Sequence, residues 1–258
     1  ARPTSWPEAS AARKSASASL GMIVPPPPPP AAATCTRSAG RTPAGSSGTA
    51  IWTHYKKGAR NFYGHILLPY GLKKNTPLEH TIVTPTTKLE PTDRNLCEAE
   101  IIGRDMASPE QWEEMRLMAL TLFARGKKIT AELGLILVDT KYEAGYDPAT
   151  GKIKIADELH TPESSRYWIA ATYEERLARG EEPQSLDKEF LRLYLEKHGY
   201  TAANLPPSLP DDVRVGVALR YIELCERVTG QPFEPVIDDD PLAAIQASIA
   251  PYMVTPAA

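Results

Sequence analysis

Gly134-Leu-Ile-Leu-Val-Asp-Thr-Lys-Tyr-Glu143 and the later Ile155-Ala-Asp-Glu-Leu-His-Thr-Pro-Glu-Ser-Ser-Arg-Tyr-Trp168 are the stretches that set the fold class. Leu135, Ile136, Leu137 and Val138 form a short continuous apolar run, the pattern of a buried strand. The run delivers Asp139, Lys141 and Glu143 at a spacing of two, which places all three on one face. A second run, Lys152-Ile-Lys-Ile-Ala-Asp157, alternates polar and apolar residues and ends in Asp157-Glu158. The segment 144–151 between them contains glycine and proline and predicts a hairpin loop. Two carboxylates and a lysine at neighbouring strand ends suit a magnesium–nucleotide site, in which hard oxygens hold the cation and the lysine neutralises phosphate. Alternating charge on a strand is about as often only its solvated side. The polar turn Thr161-Pro-Glu-Ser-Ser-Arg166 tips the balance, because two hydroxyls and a guanidinium suit an anion.

Working outward, Ser108-Pro-Glu-Gln111 predicts a helix start: serine as N-cap, proline at the first helical position, glutamine three after the cap. Trp112, Met115, Ala119, Leu122, Phe123 and Ile129 then recur at helical spacing, up to about Glu132 and the stop at Gly134. A second helix is predicted over 187–197, with Phe190, Leu191, Tyr194 and Leu195 inward and Gly199 as its stop. A third is predicted over 211–229, ended by Gly230 and Pro232, with Cys225 in its core-facing stripe. A last short helix over 242–250 is expected to pack on the body. Asp238-Asp-Asp240 reads as a solvated turn or helix cap sooner than a metal site. The pattern is α+β, a sheet flanked by helices.

Residues 1–45 have a different composition. They are rich in Ala, Ser, Arg and Pro and contain the run Pro25 to Pro30, which favours polyproline II. Large apolar side chains are sparse there, so the segment is expected to be disordered and the globular domain to span 46–258. The whole chain has 258 residues, a formal net charge of −3 and three cysteines, Cys35, Cys97 and Cys225. That charge supplies no basic field for nucleic acid, no apolar stretch is long enough to span a bilayer, and the cysteine separations offer no zinc spacing.

The runs VDTKYE, DELHTPESSRYW and Leu186-Asp-Lys-Glu-Phe-Leu-Arg192 together resemble the SAICAR synthase (phosphoribosylaminoimidazole-succinocarboxamide synthase) family. Ile51-Trp-Thr-His-Tyr-Lys-Lys-Gly-Ala-Arg-Asn61, Gly71-Leu-Lys-Lys-Asn75, Thr84-Pro-Thr-Thr-Lys88 and Arg220-Tyr-Ile-Glu-Leu224 fit the same family in the same order. The resemblance covers residue 46 to the C-terminus. The family's N-terminal lobe, with its lysine-bearing glycine loop, is not recognisable in residues 1–45. A frame error or mis-called start, an organellar targeting segment, and a linker all remain open for that region. Gly45-Ser46 matches the family's Gly-Ser turn, but the segment before it reads Gly40-Arg41-Thr42 instead of Arg-Gly-Tyr.

The resemblance implies an ATP-dependent ligase of purine biosynthesis joining L-aspartate to the carboxylate of CAIR, an aminoimidazole ribotide. ATP and Mg2+ are the implied cofactors, through an acyl phosphate. It assigns the cation to Glu143 and Asp157, the nucleotide to Lys88 and Lys141, and the imidazole substrate to Asp139. It assigns the ribotide phosphate and carboxylate to Ser165, Arg166, Lys188 and Arg192, and further substrate contacts to Ser46 and to Glu163, which would help recognise aspartate or CAIR. Glu163 departs from the family's usual aspartate, by one methylene. His160 reads as a partly buried histidine, not a base, and Tyr167 and Trp168 as core. Small-molecule substrates are the implied partners. The cytoplasm is the expected compartment, and a plastid the alternative if residues 1–45 are a transit peptide. A non-catalytic remnant that keeps ribotide binding is the rival reading. A kinase-like phosphotransferase ranks last, since no Asp-x-x-x-x-Asn loop is present.

Overall fold

A computed structural model describes residues 32–38, 42–43, 50–62, 66–88, 94–147, 149–201, 203–236 and 240–252. Its centre is an antiparallel four-stranded sheet. β1 (Ala32–Ser38), β6 (Ile82–Lys88), β7 (Leu135–Tyr142) and β10 (Ser165–Ile169) lie in the order β10-β7-β1-β6. Short two-residue strands β2 (Thr42–Pro43), β3 (Asn61–Phe62), β4 (Ile66–Leu67) and β5 (Pro77–Leu78) pair as β2-β5 and β3-β4. β8 (Ala144–Asp147) pairs with β9 (Lys152–Ile155). The helices are α1 (Ala50–Lys56), α2 (Glu98–Gly103), α3 (Pro109–Glu132), α4 (Ala170–Ala178), α5 (Glu189–Lys197), α6 (Asp211–Thr229) and α7 (Pro241–Ile249).

α3 starts and stops where its sequence says. Ser108 accepts the Gln111 N–H, Gln111 reaches back to the Ser108 N–H, and Pro109 occupies the first turn. Gly134 adopts φ +70 just past its end. Trp112, Met115, Ala119 and Phe123 turn inward against the sheet, each worth roughly 1–3 kcal/mol of burial. Ile129 does not join them and stays 42% exposed. The buried seam runs instead through Gly126 and Thr130. Gly126 is required there. A Cβ would stand 2.3 Å from His160 Cε1 and 2.9 Å from Leu137 Cδ2. The His160 ring cannot retreat freely, because it is hydrogen-bonded to the Tyr142 hydroxyl. Gly126→Ala should therefore destabilise the protein by about 1–2 kcal/mol in urea unfolding. Overpacking outweighs the gain of about 1 kcal/mol in helix propensity.

β7 carries the main departure from simple alternation. Arg166 pairs with Asp139 but Tyr167 pairs with Leu137, so Val138 has no residue opposite it on β10. This bulge reverses the two faces at mid-strand. Leu135, Leu137 and Tyr142 all enter the core under α3. Val138 packs on the other side with Trp168 and Tyr173 of α4. Strict alternation would have put Asp139 among the leucines.

Three further sequence expectations change. Residues 144–151 are not one loop between two paired strands. Ala144–Asp147 is itself a strand, and a turn covers residues 149–151, with Asp147 accepting from the Ala149 N–H and Gly151 at φ +69. Cys225 is exposed, because α6 buries only Val213 and Leu224. Val217, Tyr221 and Ile222 of α6 are half-buried, while Val215, Leu219 and Val228 stay exposed. α7 buries nothing; its Asp240 cap accepts the Ala243 N–H at 3.0 Å. Residues 237–239 lie outside the described residues.

Residues 1–31 lie outside them as well. Within the segment expected to be disordered, Ala32–Ser38 is instead a strand paired with both β6 and β7. β6 pairs with it over its whole length and β7 at Cys35 and Thr36, and backbone pairing does not require large apolar side chains.

Candidate active site

Register decides which residues share a face. Thr36 pairs with Lys141 and with Thr84, and Asp139 pairs with Arg166. Lys141, Thr84, Asp139 and Arg166 therefore belong to the face opposite α3. That face is covered at its Val138 end by α4 and toward Asp139 by the start of α5.

The carboxylate pair lies at one end. Glu143 stands between β7 and β8, and its carbonyl accepts the Ala156 N–H at 2.9 Å. Asp157 is thus one residue from a backbone hydrogen bond to Glu143. Lys141 forms an ion pair with Glu143, and its N–H donates to the Ser164 carbonyl at 2.8 Å. The polar turn is hydrogen-bonded within itself, with Ser165 N–H donating to the Thr161 carbonyl at 2.9 Å. Asp157 is exposed while the Glu143 side chain is only 12% exposed. No group of three or more His, Cys, Asp or Glu side chains among the described residues is arranged to hold a metal. Two oxygen donors, the Asp157 one exposed, suit a hard cation that keeps water and takes its remaining ligands from phosphate.

The second part is a buried charge network. Arg166 is paired with Asp139, and its Nε lies 3.5 Å from Glu189 Oε2. Arg192 Nη1 lies 3.0 Å from the same Glu189 oxygen. Burial pushes the Asp139 carboxyl up, against the pull of Arg166. At the rim, Lys188 Nζ donates to Glu163 Oε2 at 3.0 Å and the Tyr221 hydroxyl reaches Glu163 Oε1 at 3.5 Å. The longer Glu163 side chain thus ends between Lys188 and α6.

The structure brings together Lys141, Glu143 and Asp157 around one strand end, and Asp139, Glu163, Arg166, Lys188 and Arg192 around the start of α5. Ser165 it sets apart. Its side chain is buried on the α3 side of the sheet, where Oγ lies 2.7 Å from Thr140 Oγ1. That hydroxyl secures β10 to β7. Lys88 is the last residue of β6, and Ser46 lies outside the described residues. His160 is partly buried against Tyr142, and Tyr167 and Trp168 are core, as expected. Sequence reasoning missed Asp187 and Glu189, buried acids of the Leu186-Asp-Lys-Glu stretch. The signal was there: acidic residues directly before an apolar-periodic helix are helix-start residues. A separate cavity of about 560 Å³ lies on the α3 face, lined by Leu78, Val83, Trp112, Arg116 and Leu120 among others. It is not adjacent to the carboxylate pair.

The fold defines the class first: an α+β domain whose sheet has a core face under a long helix and a charged face under shorter ones. A family model described as SAICAR synthetase matches residues 44–206, and the chain belongs to that family. The phosphoribosylaminoimidazole-succinocarboxamide synthase of Legionella pneumophila (strain Lens) is 46% identical over 200 residues, covering 77% of this chain and 62% of that protein. The chloroplastic phosphoribosylaminoimidazole-succinocarboxamide synthase of Vigna aconitifolia is 49% identical over 154 residues, covering 60% of this chain and 45% of that one. A solved SAICAR synthase from Saccharomyces cerevisiae, complexed with SAICAR, is similar with a TM-score of 0.62 and 29% identity, over 79% of this chain and 62% of that one. The chain spans less than two thirds of the length of these relatives.

Proposed function

We propose that this chain is an ATP-dependent ligase that joins L-aspartate to the carboxylate of CAIR, giving SAICAR, ADP and phosphate. The observation that carries the reading is that Glu143 is ion-paired with Lys141 and hydrogen-bonded through its carbonyl to the residue before Asp157, on the same strand as the Asp139 that pairs with Arg166. One region suits the nucleotide phosphates and the adjoining one an anionic ribotide. Membership of the SAICAR synthetase family supports the same reading.

Glu143 and Asp157 would hold magnesium, which when bound supplies charge neutralisation of the nucleotide phosphates. Lys141 carries a positive charge to the same place. The ligation moves the γ-phosphoryl group of ATP to a CAIR carboxylate oxygen, releasing ADP. The aspartate amine then attacks the carbonyl carbon, phosphate leaves, and the amide forms. Arg166 and Arg192 orient the anionic substrate, since a guanidinium fork pairs with carboxylate or phosphate through two N–H groups. Asp139 holds Arg166 and faces the imidazole. Lys188 offers a second cation at the rim once it leaves Glu163. Positioning and electrostatics carry such reactions. The proposed setting is the cytoplasm or a plastid; no helix among the described residues is long and apolar enough to cross a membrane.

The test is magnesium-dependent ADP formation from ATP, CAIR and L-aspartate, with each substrate omitted in turn. Turnover that requires all three is the expected result. A folded, monodisperse sample that binds CAIR without turnover would instead be a ribotide-binding protein.

A further inference from the structure

Asp187 lies just before α5 and is 1% exposed. Its two oxygens have separate tasks. Oδ2 accepts the Tyr167 N–H at 2.8 Å, and Oδ1 accepts the Glu189 N–H at 2.7 Å. Tyr167 follows Arg166 on β10. Glu189 opens α5 and follows Lys188. A single carboxylate therefore spans the two backbone segments that carry Arg166 on one side and Lys188 and Arg192 on the other. Main-chain pairing between the two segments involves Gln184 and Leu186. Leu186 N–H donates to the Tyr167 carbonyl at 3.0 Å, and directly afterwards the chain turns into the helix. Asp187 carries the pairing past that turn.

The chemistry demands an acid. Both contacts are backbone N–H donors, and only an ionised carboxylate presents an acceptor in both directions. Asparagine of the same size has one acceptor and would set an NH2 group against an N–H. The charge also acts on its surroundings, since Arg166 and Glu189 both lie within electrostatic reach of Asp187.

We infer that Asp187 is a positioning residue that sets the separation between Arg166 and the cationic start of α5, and through it the fit of the anionic ribotide. It is buried and touches no substrate. This inference rests on the ligase reading above. A residue that merely stabilised the helix start would lower the amount of folded protein and leave the affinities of the remaining molecules unchanged. A positioning residue acts selectively. Its loss weakens the substrate held between Arg166 and α5 and spares the nucleotide, whose carboxylates Glu143 and Asp157 are held by β7 and β9.

The experiment compares the full chain with Asp187→Asn, using steady-state kinetics and calorimetric titration of CAIR. The expected result is a rise of about tenfold in KM and Kd for CAIR with KM for ATP within about twofold of wild type. Equal changes for both substrates, or none, overturn the inference. Should Asp187→Asn not fold, Asp187→Glu keeps both acceptor oxygens and moves them by one methylene. A rise of more than about threefold in Kd for CAIR then supports positioning, and an unchanged Kd overturns it. Wild-type protein that binds CAIR but does not turn over sinks the ligase reading alone, and the Kd comparison still decides the role of Asp187. Wild-type protein that neither binds nor turns over CAIR overturns both.

Discussion

Asp157→Asn is expected to lower magnesium-dependent turnover by about 100-fold or more while leaving the protein folded. Asn keeps the size and removes the charge, so a hard cation loses one of the two anionic oxygens the chain offers it. Asp157 is exposed and outside the core, where substitutions usually change stability by within about 0.5 kcal/mol. Activity and stability should therefore part company. Glu143→Gln should lower activity similarly but is a less clean probe, because it also strips Lys141 of its ion-pair partner. Raising the magnesium concentration should recover part of the Asp157→Asn rate, since the defect is in holding the cation. A variant that turned over at the wild-type rate at low magnesium would remove Asp157 from the site.

Arg166→Met should have the largest effect on stability, about 3–5 kcal/mol in denaturant unfolding. Asp139 is 3% exposed, and Glu189 is equally buried. Without the guanidinium Asp139 is left as an uncompensated carboxylate in a low-dielectric interior, the costly half of breaking a buried ion pair, and Glu189 loses one of its cations. The double variant Arg166→Met with Asp139→Leu should be more stable than Arg166→Met alone. Replacing a buried pair by apolar side chains of similar volume is often close to neutral, and Glu189 retains Arg192 at 3.0 Å. That recovery should bring no activity with it. Such a split would mark the pair as kept for substrate handling. Additive losses in the double variant would mean that the two side chains do not interact.

Much of the scaffold was legible in the chain. The capping box at Ser108, the stop at Gly134 and the bounds of α6 follow from local chemistry: orphan backbone groups at a helix end need particular side chains close in sequence. The strand over 135–142 follows from its apolar run. The spacing of Asp139, Lys141 and Glu143 correctly placed them on one face.

The rest depended on contacts distant in sequence. The bulge at Val138 cannot be read from β7, because it is a mismatch of count between β7 and β10. Yet without it Asp139 would be buried among the leucines of the core instead of beside Arg166. β1 was hidden for a similar reason: its composition is unremarkable, and it is a strand because β6 and β7 offer it a ladder on each side. Ser165 reads as an anion-binding hydroxyl in a polar turn, and the pleat turns it toward Thr140 instead. Cys225 and α7 erred in the opposite direction, since apolar periodicity marks a face that seeks cover without saying whether a neighbour supplies it.

The sequence by itself therefore determined the family, the helix termini and the residue types of the site, all of which rest on short-range chemistry. Tertiary structure alone decided that Arg166 lies between Asp139 and Glu189, and that one aspartate ties β10 to α5. Desolvation and shared hydrogen bonds arise only when segments far apart in the chain meet.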